Sequence, residues 1–339
     1  MSESQQSIVL ASRPDGWVKP EHFASQSAPM PSAKTGELLL RHRFLSVDPY
    51  MRGRMNDVKS YVPPFQMGEP IVGGGVAEVM ESQAEGWQKG DLLVGMLPWT
   101  EFSAMRPEGL RKLPAVNAPL SWHLGILGMP GMTAYVGLME VAKLQPGDSV
   151  FVNAAAGAVG SVVGQIARAM GCYVVGSAGG PDKVAHLTDT LCFSAAFDYR
   201  AESDLRKTLR HHFPKGIDVL FENVGGPQFE AAIANMAVFG RIALCGMIAD
   251  YNVERDALPP GPKGMTQLIG RNVALQGFIV SNYPDAAAKW AALAGRLLST
   301  GQLQYHETVS EGLASAPEAF ISMLRGGNLG KQVVQVAAE

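Results

Sequence analysis

The residues with the clearest chemical meaning lie near the middle of the chain, in Ser149-Val-Phe-Val-Asn-Ala-Ala-Ala-Gly-Ala-Val-Gly160. A short apolar strand runs there into a turn of small residues. Ala155, Gly157 and Gly160 fall on the three positions of a G-x-G-x-x-G pattern, with alanine in the first. Small residues at that spacing meet three steric needs: a tight turn, close approach of backbone to a pyrophosphate, and close packing of the next helix on the strand. The helix start adds N–H groups and the positive end of its dipole. A bound dinucleotide would thus be held by Ala155, Gly157, Ala158, Val159 and Gly160. Gly164, one turn on, permits closer packing still. An ordinary strand-to-helix turn can carry the same glycines, but here a second strand follows on schedule at Tyr173, as a βαβ unit requires.

The end of that second strand selects the dinucleotide. An NAD site places an acid roughly 20 residues on, to bond the ribose 2′-hydroxyl. Here the stretch reads Gly176-Ser-Ala-Gly-Gly-Pro-Asp-Lys183. Ser177 stands where the acid would be, so nothing repels a 2′-phosphate. Ser177 and Gly179 can offer donors and Lys183 a positive charge, although Lys183 also reads as a solvated surface lysine. Asp182 is expected to cap the helix that starts beside it. NADP is therefore favoured over NAD.

A second inventory is informative by what it lacks. The first 125 residues hold no cysteine, and His22, His42 and His123 show no ligand spacing. His211 and His212 sit in a polar segment. A metal-activated alcohol oxygen is not expected. Reduction of a carbon–carbon double bond conjugated to a carbonyl suits such a site, because the developing enolate needs only hydrogen-bond donors.

The elements that must position these residues divide the 339-residue chain in two. Residues 1–125 read as β-rich, with strands expected at 37–43, 73–80 and 90–95. From residue 126 to 303, strands at 149–153, 173–177, 217–222, 240–246 and 273–280 alternate with helices such as 160–170, and a last helix is expected at 283–300. That alternation predicts a doubly wound parallel sheet with helices on both faces. The tail, 304–339, returns to strand-like sequence at 304–309 and 332–336 and is expected to rejoin the first region. The fold class is α/β. Net charge is −3 with both signs scattered, which argues against a nucleic-acid binder. Three widely spaced cysteines, Cys172, Cys192 and Cys245, form no disulfide framework. No apolar run approaches the roughly 20 residues that span a bilayer, and the polar start resembles no signal peptide. A soluble cytoplasmic protein, not attached to membrane, is expected.

Several segments together carry a family likeness: Asp48-Pro-Tyr-Met-Arg-Gly-Arg-Met55, Gly128-Met-Pro-Gly-Met-Thr-Ala-Tyr-Val-Gly-Leu138, Ala154 to Gly160, Phe221-Glu-Asn-Val-Gly-Gly226 and Asn328-Leu-Gly-Lys331. The chain resembles the zinc-independent medium-chain dehydrogenase/reductases, in the branch of prostaglandin reductases, alkenal/one oxidoreductases and curcumin reductase. The resemblance covers nearly the whole chain. It implies a GroES-like catalytic domain, a Rossmann domain, NADP(H) as cofactor, a small-molecule enone as substrate and a homodimer. It places the nicotinamide near Met132, Thr133, Asn223, Asn328 and Gly330, and the 2′-phosphate near Lys183 and Tyr199. Cys245 and Gly246 would follow the strand under the cofactor. Tyr50, Tyr61 and Tyr251 would line the substrate cleft, with Tyr50, Tyr251 and Thr133 nearest the chemistry. The tyrosine that prostaglandin reductases carry on the substrate side is Ser281 here, which favours the bacterial type. Leu191-Cys-Phe-Ser194 replaces the usual Leu-Gly-Phe-Asp.

Each of these residues also has a plainer reading. Tyr50 either donates to the substrate carbonyl or protonates the α-carbon, or is a packing tyrosine. Arg52 and Arg54 either hold an anion or pin their loop through backbone carbonyls. Cys245 reads as a small buried residue, and Met129 and Met132 as apolar wall. Besides an NADPH-dependent enone reductase, a quinone reductase and a non-catalytic NADPH-binding protein stay open. The loop 251–265, rich in Pro and Gly, could be a mobile lid or a partner contact.

Overall fold

The computed structural model describes residues 4–114, 118–257 and 259–337. Leu258, within the loop expected as a lid, and the ends of both terminal segments lie outside them. Two compact units are formed, one by residues 1–124, 307–328 and 332–339, the other by residues 125–306 and 329–331.

The N-terminal part of the first unit is built on antiparallel strands: β1 (Ser4–Leu10), β2 (Phe23–Pro29), β3 (Leu38–Ser46), β4 (Val72–Ser82), β5 (Leu92–Pro98), β6 (Phe102–Met105) and β7 (Arg111–Lys112), with the short helix α1 (Met51–Arg54) after β3. The second unit alternates. Helix α2 (Met129–Tyr135) leads into β8 (Ser149–Val152), α3 (Gly160–Ala169), β9 (Tyr173–Ala178), α4 (Pro181–Ala185), β10 (Ala195–Asp198) and α5 (Leu205–His212). Then come β11 (Ile217–Glu222), α6 (Gly226–Ile233), β12 (Met236–Leu244), α7 (Ile248–Tyr251), α8 (Thr266–Gly270), β13 (Ala274–Gly277) and α9 (Ala286–Ser299). The tail adds β14 (Glu307–Glu311), α10 (Ala316–Leu324) and β15 (Lys331–Gln335). Tail strand β15 pairs with β3 in a sheet whose order is β14-β15-β3-β4-β5-β7. Residues 304–306, expected to open a strand with the tail, instead belong to the second unit.

The second sheet is parallel, in the order β10-β9-β8-β11-β12-β13. Numbered within the unit this is 3-2-1-4-5-6, the doubly wound order whose reversal lies between its first and fourth strands. Ligands in such sheets bind beyond the carboxyl ends at that reversal, here the ends of β8 and β11. The core beneath is aromatic. Phe151 stacks on Phe197 at 5.9 Å between centroids, and Phe213 meets Phe151 edge-on, with Leu209, Leu220 and Phe229 packed around them.

Two glycine clusters set how closely the site-bearing elements approach their sheets. In β4, a side chain on Gly73 would strike the methyl of Met51, so that glycine admits α1 against the sheet, and one on Gly75 would meet Leu97 of β5. In α3, Gly164 faces the ring of Phe193 with no room for a methyl group. Gly164→Ala must therefore push that ring aside. Overpacking of this kind costs about 1–3 kcal/mol. Urea unfolding should show that loss, and an unchanged midpoint would mean the contact is slack.

Candidate functional site

In the second unit the glycine turn is built by sterics. Strand β8 ends at Val152, and Ala154 takes a left-handed φ of 48°. A methyl on Gly160 would stand 2.5 Å from the Ala154 carbonyl oxygen and 2.8 Å from the Ala155 Cα. One on Gly176 would stand 2.8 Å from the Ala155 Cβ, so Ala155 can pack there only because position 176 is glycine. The turn is closed by Ala155 N–H donating to the Ser177 carbonyl (3.0 Å) and Gly157 N–H to that of Ala154 (3.0 Å). Val159 stands at the N-cap of α3 and makes no side-chain cap, which leaves the helix's first turn suited to an anion. Gly330 joins the turn: its N–H donates to the Ala156 carbonyl at 2.8 Å, and it bridges to Gly157. Its φ of 67° and the nearby His306 carbonyl both demand glycine. Asn328 is half-buried just after α10 in the first unit.

At the ends of β9 and β10 three expectations change. Ser177 is not at the strand end, because β9 runs on to Ala178. It is fully buried, and its hydroxyl donates to Gln228 Oε1 at 2.6 Å, so it has no proton left for a phosphate. Asp182 does not cap α4: Gly180, at a φ of 99°, stands at the cap, and no side chain bonds there. The acid at the end of β10, Asp198, accepts from backbone N–H groups of Gly180 and Arg200, which hold its carboxyl below the usual range. The third change is an addition. Arg200 lies against Gly179, within 2.9 Å of where a methyl there would sit, and over the ring of Tyr199 at 5.6 Å. Its Nε donates to the Tyr199 hydroxyl at 3.3 Å. Lys183 is half-buried, and burial, followed by the charge of Arg200, lowers its pKa. Two cations and a phenol thus share one spot, and like charges so placed favour a bound anion. Arg200 stood in the sequence beside Tyr199. Its role shows only when Gly179 comes alongside.

Beyond β11 and β12 lies a polar cluster that the sequence reading missed. The Glu222 side chain is fully buried, and its Oε1 accepts from Asn153 Nδ2 (2.6 Å), Val224 N–H (2.6 Å) and Gly225 N–H (2.7 Å). Oε2 is buried without a hydrogen-bond partner. Burial pushes this carboxyl up to about 7, against the pull of those donors. Asn223 is held by the same group: its N–H donates to Asn153 Oδ1 (2.7 Å), and its Nδ2 to the Asn153 carbonyl (2.9 Å). Cys245 and Gly246 follow β12, their N–H groups on the Glu222 carbonyl. Burial and the nearby Glu222 push the Cys245 thiol up to about 12, which leaves it a poor nucleophile. These two residues, with Leu244, Met247, Gly277, Phe278, Ile279 and Asn282, line a cleft of about 390 Å³. The Tyr251 hydroxyl lies over Gly246, 3.2 Å from where a methyl there would be. Ser281 is exposed in the turn after β13. In α2, Met132 is half-buried, whereas Thr133 is buried, its hydroxyl 3.4 Å from the Met129 sulfur. Helix α2 runs on into a π-helical stretch, Val136–Val141.

In the first unit the two arginines resolve to loop pins. Buried Arg52 donates to the Gly16 carbonyl (2.8 Å) and Asn56 Oδ1 (2.7 Å). Arg54 donates to the carbonyls of Pro63 and Val72, each at 2.9 Å, and covers the Phe65 ring at 4.1 Å. It also hydrogen-bonds the Tyr50 hydroxyl, yet burial and then the charge of Asp48 raise the pKa of that phenol. Tyr61, nearby, is largely exposed. Among the described residues no group of three or more His, Cys, Asp or Glu is placed to hold a metal.

Two family models match this chain: "N-terminal domain of oxidoreductase" over residues 6–113 and "Zinc-binding dehydrogenase" over residues 158–299. The chain belongs to the medium-chain dehydrogenase/reductase family. Its relatives there include the NADP-dependent 2-alkenal reductase of Nicotiana tabacum, 45% identical over 90% of this chain and 89% of that one. The NADPH-dependent curcumin reductase of Escherichia coli (strain K12) is 40% identical over 98% and 96%. The crystal structure of CurA in complex with NADPH from Vibrio vulnificus superposes with a TM-score of 0.93 at 40% identity, covering 98% of this chain and all of that one.

Within that family fold, two outcomes follow from the charges. Removing Arg200 or Lys183 (R200A, K183A) should weaken NADPH binding roughly tenfold or more, the scale of one charge-assisted hydrogen bond, and leave NADH binding unchanged. Equal losses for both nucleotides in fluorescence titrations would refute the 2′-phosphate assignment. Glu222, its pKa raised in the fold, keeps a proton that the unfolded chain sheds from about pH 4.5 upward. Stability should therefore fall as pH rises from there to about 7, by at most roughly 3 kcal/mol. In thermal melts E222Q should lack that decline; a parallel pH trend in both proteins would overturn it.

Proposed function

We propose that this chain is an NADPH-dependent reductase of the carbon–carbon double bond in α,β-unsaturated ketones and aldehydes. The observation that carries this reading is the glycine turn at the sheet's reversal joined to the Lys183–Arg200 pair, which fits a 2′-phosphorylated dinucleotide. The alkenal and curcumin reductases named above supply the substrate class.

NADPH, when bound, supplies the hydride that the β-carbon accepts. The chain's residues do the rest. The turn 155–160 and the start of α3 hold the pyrophosphate, and Lys183, Tyr199 and Arg200 hold the 2′-phosphate. Asn223, Gly330, Asn328, Met132 and Thr133 serve the nicotinamide end, with Cys245 and Gly246 forming its floor. Tyr50 donates to the carbonyl oxygen as negative charge gathers on it. Tyr251, Tyr61 and Ser281 shape substrate choice. Substrate reduction adds one hydride at the β-carbon and one proton at the α-carbon.

We place the enzyme in the cytoplasm, as its three cysteines are free, and among the described residues no helix is long and apolar enough to cross a membrane. We assign a homodimer paired through β13. That edge strand is exposed along its whole length, and Leu275, Ile269 and Phe239 stand out beside it. An uncovered apolar edge of this kind invites a second strand.

Purified protein should consume NADPH with 2-alkenals and aryl enones, and faster than with quinones. No turnover across an enone panel would refute the reading. Y50F should lower kcat about 10²-fold, the usual scale for loss of one hydrogen-bond donor to a developing oxyanion, with the NADPH KM unchanged. L275K should shift the mass in light scattering from dimer to monomer; a monomeric wild type would exclude the β13 interface.

A further inference from the structure

Two asparagines and a glutamate from strands far apart in sequence form one chain of bonds. Asn153 follows β8, and Glu222 and Asn223 close β11, so the chain spans the reversal of the sheet. Asn153 spends its amide nitrogen on Glu222 and its amide oxygen on Asn223 N–H. That double use fixes which way the Asn153 amide faces, since only one orientation matches a carboxylate on one side and an N–H on the other. Its carbonyl then takes the Asn223 side-chain nitrogen. With its nitrogen committed, half-buried Asn223 presents Oδ1, an acceptor, to anything that binds at the strand ends. Glu222 meanwhile gathers the N–H groups of Val224 and Gly225, which shapes the turn between Asn223 and α6.

We propose that Glu222 is a positioning residue for cofactor binding: acting through Asn153, it holds Asn223 as a hydrogen-bond acceptor for the N–H or O–H donors at the nicotinamide end of the dinucleotide. Nothing else about Glu222 accounts for a fully buried carboxyl placed at the reversal of the sheet with one oxygen triply bonded and the other without a partner. A carboxyl serving only to start α6 would need the Val224 and Gly225 bonds but not Asn153. The inference rests on the dinucleotide half of the proposed function and not on the enone.

The test compares two ligands. NADPH carries the nicotinamide end; adenosine 2′,5′-bisphosphate lacks it and reports on the Lys183–Arg200 end alone. N223A, N153A and E222A should each weaken NADPH about tenfold in fluorescence titration, while the bisphosphate binds within twofold of wild type by calorimetry. E222Q retains the Oε1 acceptor and should stay within threefold of wild type for NADPH. E222A/N223A should bind NADPH no more weakly than N223A, because both changes break one chain. Should E222A fail to fold, N153A breaks the same link without disturbing the carboxyl's backbone partners. Additive losses in the double variant, or equal losses for both ligands in N153A, would overturn the proposal. Wild-type protein that binds NADPH but reduces no enone would sink the reductase reading and leave this one standing.

Discussion

The first turn of α3 comes so near the end of β8 that only hydrogen fits at Gly160, and everything at the cofactor end depends on that approach. A helix start held this close points its N–H groups at whatever occupies the strand ends. The closeness propagates. Ala155 can lie under the turn because Gly176 of β9 offers it no Cβ, and α3 can lie flat because Gly164 accepts the face of Phe193. The Gly330 N–H then bonds the turn itself, so residues remote in sequence complete the same small-residue patch. None of these glycines is there for flexibility. Each marks a place where two backbones, or a backbone and a ring, are in contact.

Electrostatics divides along the same strand ends. At β9 and β10 the charges are positive and accessible, and Asp198 is occupied by backbone donors. At β8 and β11 the one acid, Glu222, is sealed in and held near neutrality by burial. A dinucleotide with a 2′-phosphate has matching polarity: a charge of about −1.5 to −2 at one end, and a neutral carboxamide bearing N–H donors at the other. In the proposed binding mode the first is met by cations and the second by a neutral amide acceptor, without a bare negative charge beside the phosphates.

What was legible in the sequence was what sterics writes as residue size. The turn at 155–160 follows from small residues at fixed spacing, and the parallel sheet from apolar runs alternating with helices. Ser177 shows where this fails. Ending β9 at Ser177 makes that residue the strand's last, facing ligand; with the strand running on to Ala178 it lies inside, bonded to Gln228. Strand β12 likewise begins at Met236 and not Gly240, across a residue, Phe239, with a left-handed φ of 61° that its type gives no reason to expect. The Asn153–Glu222 bond joins residues 69 apart, and the Arg200 contact depends on β10 lying beside β9. Such pairs have no local signature.

The surroundings of Tyr50 bear on whether, in the proposed reaction, that phenol would give up its proton or only share it. Arg54 pins the loop carbonyls of Pro63 and Val72 and still reaches the Tyr50 hydroxyl, so the phenol oxygen is already an acceptor and its own hydrogen is directed elsewhere. Arg54 by itself would ease ionisation. Burial and the charge of Asp48 outweigh it and hold the proton more firmly than in free tyrosine. A phenol in that state is a persistent hydrogen-bond donor and a reluctant acid. Charge developing on a substrate oxygen can be met by such a donor without proton transfer. The α-carbon needs a full proton, and a group held above its usual pKa gives one up poorly. On the proposed reaction, Tyr50 therefore belongs with the carbonyl oxygen and not with the α-carbon.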